Sequence, residues 1–166
     1  IYQASLYHFQ HRHANDMRGE LVAGALLAQF LIALVFKNYK LVSPVSITTR
    51  LNQSPAEQRK YYAVFITTLE RLFLGLRPFW GSELKPLHYF ALGSRPRHLL
   101  RVGWSILRKR MTPHRNPTNG YISHNVDQVQ MVIDGGFNLD GQLHTPDCQQ
   151  EPIVITNGGQ ASFLQL

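Results

Sequence analysis

Asp134-Gly135-Gly136-Phe137-Asn138-Leu139-Asp140-Gly141-Gln142 holds the densest turn chemistry in this 166-residue chain. Val129, Met131, Val132 and Ile133 precede it, and Phe137 and Leu139 lie within it, so two Asp-Gly pairs punctuate apolar runs. Asp-Gly tolerates the positive φ that tight turns demand. From its residues alone the stretch reads as two β-turns between short strands, and the chain around it is expected to be mainly β.

Residues 60–69, KYYAVFITTL, read as a buried strand. Tyr62, Val64 and Ile66 alternate with Ala63, Phe65 and Thr67, and both sets are largely apolar, as a strand covered on two faces requires. Residues 86–94 read as the next strand. Residues 40–51 are rich in β-branched side chains, with Pro44 interrupting the first part. Between these runs, residues 53–59 read as a polar turn around Pro55, and residues 70–85 as a loop carrying Gly75, Pro78 and Gly81. Residues 15–39 are helical in pattern: Asn15 or Asp16 can cap, and residues 21–36 are apolar except for Gln29. That run falls short of the roughly 20 apolar residues of a membrane span, so it reads as a core helix. Leu21, Ala25, Ala28, Ile32 and Val35 form its packing face. The expectation is at least six strands and two main helices, near 15–37 and 96–111.

The charge is concentrated. Arg95, Arg97, Arg101, Arg108, Lys109, Arg110 and Arg115 follow one another with no acid between them, while the remaining ten basic residues balance ten acidic ones. The net charge of +7 is therefore a local patch. At helical spacing Arg97, Arg101 and Arg108 share a sector, and Leu99, Leu100, Trp104, Ile106, Leu107 and Met111 form a broad apolar arc. Two readings follow for this basic amphipathic helix: a solvated cationic face on the domain surface, or contact with an anionic membrane through Arg97, Arg101, Arg108, Lys109 and Arg110. Nucleic acid is not the expected partner, because aromatics are not interleaved with the arginines beyond Trp104 and no binding motif is present.

Other constellations are sparse. Cys148 stands alone, which excludes an internal disulfide and fits a reducing compartment, hence a cytoplasmic location. His8, His11 and His13 lack a second ligand cluster, and His144 with Cys148 does not make a zinc site, so no metal is expected. There is no Walker-type loop and no Gly-x-Ser-x-Gly elbow. Asn52-Gln53-Ser54 is formally a glycosylation acceptor. The chain opens on Ile1 inside an apolar/polar alternation, as a piece of a longer protein would, and shows no signal peptide.

The segment FNLDGQ at 137–142, followed by a polar loop and the strand-like PIVITNGGQASFLQL at 152–166, resembles the C-terminal end of the diacylglycerol kinase and sphingosine kinase (lipid kinase) superfamily. The resemblance implies that Asp140 and Gly141 match the first two positions of that family's Asp-Gly-Glu. Gln142 stands where the family has Glu. Being neutral, it can neither act as a general base nor offset Mg²⁺ charge as a carboxylate does. The order of elements also matches, through Val64 to Thr68, Gly75, Pro78 and Leu87 to Leu92. Gly81-Ser82-Glu83 stands where the family usually carries an Asp-Gly.

The family's Gly-Gly-Asp-Gly-Thr phosphate loop is absent. The resemblance thus implies that residues 1–166 are one domain, the lipid-substrate C-terminal domain, a β-sandwich with two flanking helices. The N-terminal nucleotide-binding domain would be its missing partner. By the same resemblance, Asp140 and Gln142 are the catalytic candidates and Gly141 shapes the active-site loop. ATP and Mg²⁺ belong to the full-length parent rather than to this fragment, which would be inactive alone, and the protein would be peripheral at the membrane. Two other functions fit the residues: a non-catalytic lipid-binding or membrane-docking module, and an all-β domain that binds an anionic partner through the basic helix.

Overall fold

A computed structural model describes residues 43–72, 76–139, 142–145 and 152–159. The helix expected at 15–37, the three N-terminal histidines and Cys148 lie outside the described residues. Eight strands appear: β1 (Val45–Leu51), β2 (Glu57–Thr67), β3 (Leu87–Gly93), β4 (Tyr121–Val126), β5 (Gln128–Ile133), β6 (Phe137–Leu139), β7 (Gln142–His144) and β8 (Ile153–Thr156). Among the described residues one α-helix, α1 (Leu99–Leu107), and a short 3-10 turn (Pro117–Asn119) stand between β3 and β4. The expectation of a mainly β chain with at least six strands holds. A second flanking helix and a sandwich of two sheets are not among the described elements.

Six strands form one antiparallel sheet in the order β4-β3-β2-β1-β5-β8, and β6 pairs with β7 in a separate ribbon. β4 and β5 occupy the first and fifth places, yet Asp127 alone separates them in the chain. In a flat sheet, four strand spacings would put them about 19 Å apart. Two consecutive Cα steps reach only about 7.6 Å. The sheet therefore curls until its β4 edge comes round to the start of β5. Asn52, in the left-handed region at φ 54°, fastens this corner. Its side-chain oxygen accepts the Asp127 and Gln128 N–H groups at 2.8 and 3.1 Å, and its own N–H donates to the Gln128 carbonyl at 2.9 Å.

Curling divides the core in two. The concave side buries Ile47, Tyr61, Tyr89, Ala91, Val126 and Val129. The convex side packs Ala63, Phe90, Leu92 and Tyr121 against Val102 of α1, with Trp80 and Phe79 from the preceding loop. A register shift between Tyr61 and Ala63 lets β2 serve both. Tyr61 belongs to the concave cluster, while Tyr62 and Ala63 both pack with the convex one. The strict alternation expected of residues 60–69 is thus broken by one extra residue, as a bulge does. β2 also begins earlier than its apolar pattern, at Glu57, because a tight turn at 52–54 lets polar residues pair with Thr49 and Thr48 of β1.

At Asp134-Gly135 the structure has a bend in place of the expected β-turn. β5 and β6 belong to different sheets, so the chain bends out of the main sheet there, and Gly135 takes φ 147°, open to glycine.

Candidate functional site

The sequence singles out two groups of residues, and the fold keeps them on separate elements. Asp140 and Gly141 fall between the paired Leu139 and Gln142 and lie outside the described residues. Gln142 opens β7 with an exposed position. Across the same ribbon the Phe137 and His144 rings stack at 5.3 Å. The ribbon thus holds Gln142 at a strand end beside a two-residue connection.

The basic residues lie on and around α1, which is shorter than the 96–111 expected. Before it, the Tyr121 hydroxyl donates to the Arg97 carbonyl at 2.7 Å, which keeps Arg97 outside the helix, and His98 at the N-cap is left-handed with φ 56°. Burial pushes the Tyr121 phenol up to about 12, so it remains a donor. After the helix, the N–H groups of Arg108, Lys109 and Arg110 close on the carbonyls of Trp104, Ile106 and Ser105 at 2.9–3.1 Å. Lys109 turns left-handed to do so.

Arg97, Arg101, Arg108, Lys109 and Arg110 are exposed. Arg115 is not. It turns inward, donating from Nε to the Ser105 hydroxyl at 3.2 Å, which in turn donates to the Val102 carbonyl at 2.7 Å. Its guanidinium lies 5.5 Å from the centre of the Trp80 ring. A cation at the C-terminal end of α1 also meets the negative end of the helix dipole.

The broad apolar arc read from the sequence is split. Leu99, Val102 and Ile106 pack on the sheet, whereas Leu100, Trp104, Leu107 and Met111 face solvent. Arg108 lies over the Trp104 ring at 4.6 Å.

A third feature was not among the residues singled out by sequence. A cavity of about 400 Å³ lies between the β1–β2 hairpin and the β3–β4 pair, lined among others by Thr49, Arg59, Tyr61, Glu83, Tyr89 and His124. Glu83 reaches it from the loop before β3. One carboxylate oxygen meets His124 Nδ1 at 2.8 Å, and the other accepts the Asn125 N–H at 3.0 Å. The Asn125 amide returns two bonds, to the Gly81 and Glu83 carbonyls at 3.0 and 2.8 Å. Partial burial opposes ionisation of Glu83, but the Asn125 and His124 bonds outweigh it and bring the carboxyl down to about 2. Gly81 must be a glycine here, since a Cβ would sit 2.6 Å from the Asn125 nitrogen.

Deeper in, burial pushes the Tyr89 phenol up, with its hydroxyl within reach of Tyr61 and Thr49. The cavity thus offers protonated hydroxyls, an ionised carboxylate and the Arg59–Glu57 pair (2.7 Å) beside apolar Leu51, Ile122 and Val126. It can hold a ligand that has both hydroxyl or ester oxygens and a hydrocarbon part. The signal available in sequence was only Gly81-Ser82-Glu83; its partners lie about forty residues away.

Among the described residues no group of three or more His, Cys, Asp or Glu comes together as a metal site. No helix among them is long and apolar enough to cross a membrane.

No known protein family matches the chain, and no curated protein does. Solved structures do, and two of them are of kinases. One, a protein of Bacillus anthracis str. Sterne assigned as a diacylglycerol kinase, aligns with a TM-score of 0.50 over 80% of this chain at 9% identity. The fold is similar to that of a diacylglycerol kinase. A second structure, of a diacylglycerol kinase from the same organism, aligns over 75% of the chain at 9% identity and a TM-score of 0.45. This chain spans only 44% and 42% of those two chains, less than half of a diacylglycerol kinase in each case. The fold implied by the resemblance at FNLDGQ is thus similar to the fold found here over 80% of the chain.

Proposed function

We propose that this chain is the lipid-substrate domain of a diacylglycerol-kinase-like phosphotransferase, whose full-length form moves the γ-phosphoryl of ATP to a lipid hydroxyl. The observation that carries the proposal is the alignment of 80% of the chain with less than half of a diacylglycerol kinase structure. Such a fraction is what one of two domains would give. The β-sandwich and second flanking helix belong to the same proposal.

The described residues do not fit ATP and Mg²⁺. They bring no three carboxylates or histidines together, and α1 has His98 at its N-cap without a side-chain cap or a glycine-rich loop to cradle phosphate. In this reading the nucleotide and metal would be held by the nucleotide-binding partner domain. What this chain supplies is acceptor binding. Tyr61, Tyr89 and Thr49 offer hydroxyls to the polar head of a lipid alcohol, and Leu51, Ile122 and Val126 offer surface to the start of its hydrocarbon. Asp140 and Gln142 would face the nucleotide domain, with Gly141 shaping the turn.

Gln142 favours a second reading, a lipid-binding module of the same ancestry that no longer transfers phosphate, because an amide cannot accept the hydroxyl proton. The test is phosphorylation of diacylglycerol in mixed micelles by the 166-residue chain alone and by the full-length parent. The expected outcome is turnover by the parent and none by the chain, and a Gln142→Glu parent with altered turnover and metal dependence. A parent that binds the lipid but stays inactive, with or without Gln142→Glu, would replace the enzyme by the binding module.

A further inference from the structure

We infer that the outward face of α1 is a docking surface for an anionic lipid bilayer, with Leu100, Trp104 and Leu107 entering the interfacial layer and Arg101 and Arg108 meeting lipid phosphates. A surface helix ordinarily turns its one apolar stripe inward. Here Leu99, Val102 and Ile106 already fill that role, and a second stripe at i, i+4, i+7 points away from the domain. Leu100 is 72% exposed, Trp104 56%, Leu107 54%, and Met111 just beyond the helix 69%. Single exposed apolar residues need no explanation, but four within twelve positions make a patch.

The charge around this patch selects the partner. No acidic residue lies in 95–115, and Arg101 and Arg108 are exposed beside the apolar stripe. Arg108 lies over Trp104 at 4.6 Å, which leaves one side of the planar guanidinium open to a phosphate. Apolar side chains ringed by cations on a convex helix suit a shallow contact with headgroups, where Trp is favoured. An acidic protein partner fits less well. Nine helical residues extend about 14 Å, little of the roughly 800 Å² per partner that a stable protein interface needs. Arg115 is a positioning residue for this face, since its bond to Ser105 secures the helix end. The contact is one-sided, because none of the described helices is long and apolar enough to cross the bilayer. It is independent of phosphoryl transfer, and vesicle binding is read separately from turnover.

The 166-residue chain would be sedimented with vesicles of phosphatidylcholine alone and of two-to-one phosphatidylcholine and phosphatidylserine. The chain should bind the anionic vesicles and release as salt shortens screening below about 8 Å. Arg101→Glu with Arg108→Glu should weaken that binding by about 30-fold or more. Leu100→Ser with Trp104→Ser and Leu107→Ser should weaken it about tenfold or more.

A fluorescence measurement covers the case in which the triple variant fails to fold. Bromine-labelled lipid should quench emission of the wild type and leave Trp104→Phe, whose sole remaining tryptophan is Trp80, unquenched. Binding of folded variants at wild-type strength would overturn the inference, and so would quenching that Trp104→Phe retains. A wild-type dimer that the serine variant turns into monomer would likewise overturn it, assigning the face to a second copy of the chain.

Discussion

β3 and α1 are consecutive elements made of the same kind of residue, and they end in opposite surroundings. In Leu87–Gly93, Leu87 and all of residues 89–92 are buried. In Leu99–Leu107, only Val102 and Ser105 are, although the helix is as apolar as the strand. The reason is place in the layers. β3 lies between β2 and β4 in the sheet, with the concave cluster on one face and α1 and Trp80 on the other. Among the described residues α1 forms the outermost of these layers and packs on the sheet with one side. An apolar segment shows how much surface could be buried; how much is buried depends on how many neighbours the fold brings to it.

The strongest test of that difference is Phe90→Ala. Phe90 packs edge-on to Trp80 at 5.7 Å and against Phe65 at 6.0 Å, so its removal should cost about 3–5 kcal/mol in urea unfolding. A loss under about 1 kcal/mol would mean that the convex core collapses easily and the two elements are less different than they look.

A smaller effect is expected of Glu83→Gln, which loosens the loop that brings Trp80 over β3. The Glu83 carboxyl is lowered from 4.5 to about 2. Its contribution is therefore fully present above pH 4.5 and lost as pH falls toward 2. Because the side chain is partly exposed, screening keeps the effect modest. Thermal unfolding should show a lower midpoint for the variant at pH 7 and a difference that shrinks between pH 4.5 and about 2. A difference that persists unchanged at pH 2 would assign the loss to packing or to the neutral hydrogen bonds instead.

The smallest change belongs to Leu107→Ser. With the side chain in solvent, unfolding free energy should move by no more than about 0.5 kcal/mol. A cost near that of Phe90→Ala would place the outer stripe of α1 in a core and remove the contrast with β3.

Much of this was legible locally. Pro44 marked the start of β1, the doubly apolar run at 60–69 marked most of β2, and the acid-free run of arginines marked the neighbourhood of α1. β4 had no such signal. Its residues alternate Tyr121, Ser123 and Asn125 with Ile122, His124 and Val126, a mixture that only the curled sheet and the Glu83 loop make sense of. The cavity was illegible for the same reason. Glu83 and His124 are ordinary surface residues until the loop lies against the β4 edge.

The sequence by itself determined the β-rich character and the position of the basic stretch, because these follow from side-chain periodicity and charge over a few residues. It also carried the family resemblance at 137–142. The tertiary structure alone decided that the sheet curls through the Asp127 corner, that β2 changes face at its bulge, and which of two apolar stripes on α1 turns inward. Each of those outcomes depends on contacts between distant parts of the chain, such as Asn52 with Gln128 or Arg115 with Trp80. Local pattern supplies the residues for such contacts but not the geometry that brings them together.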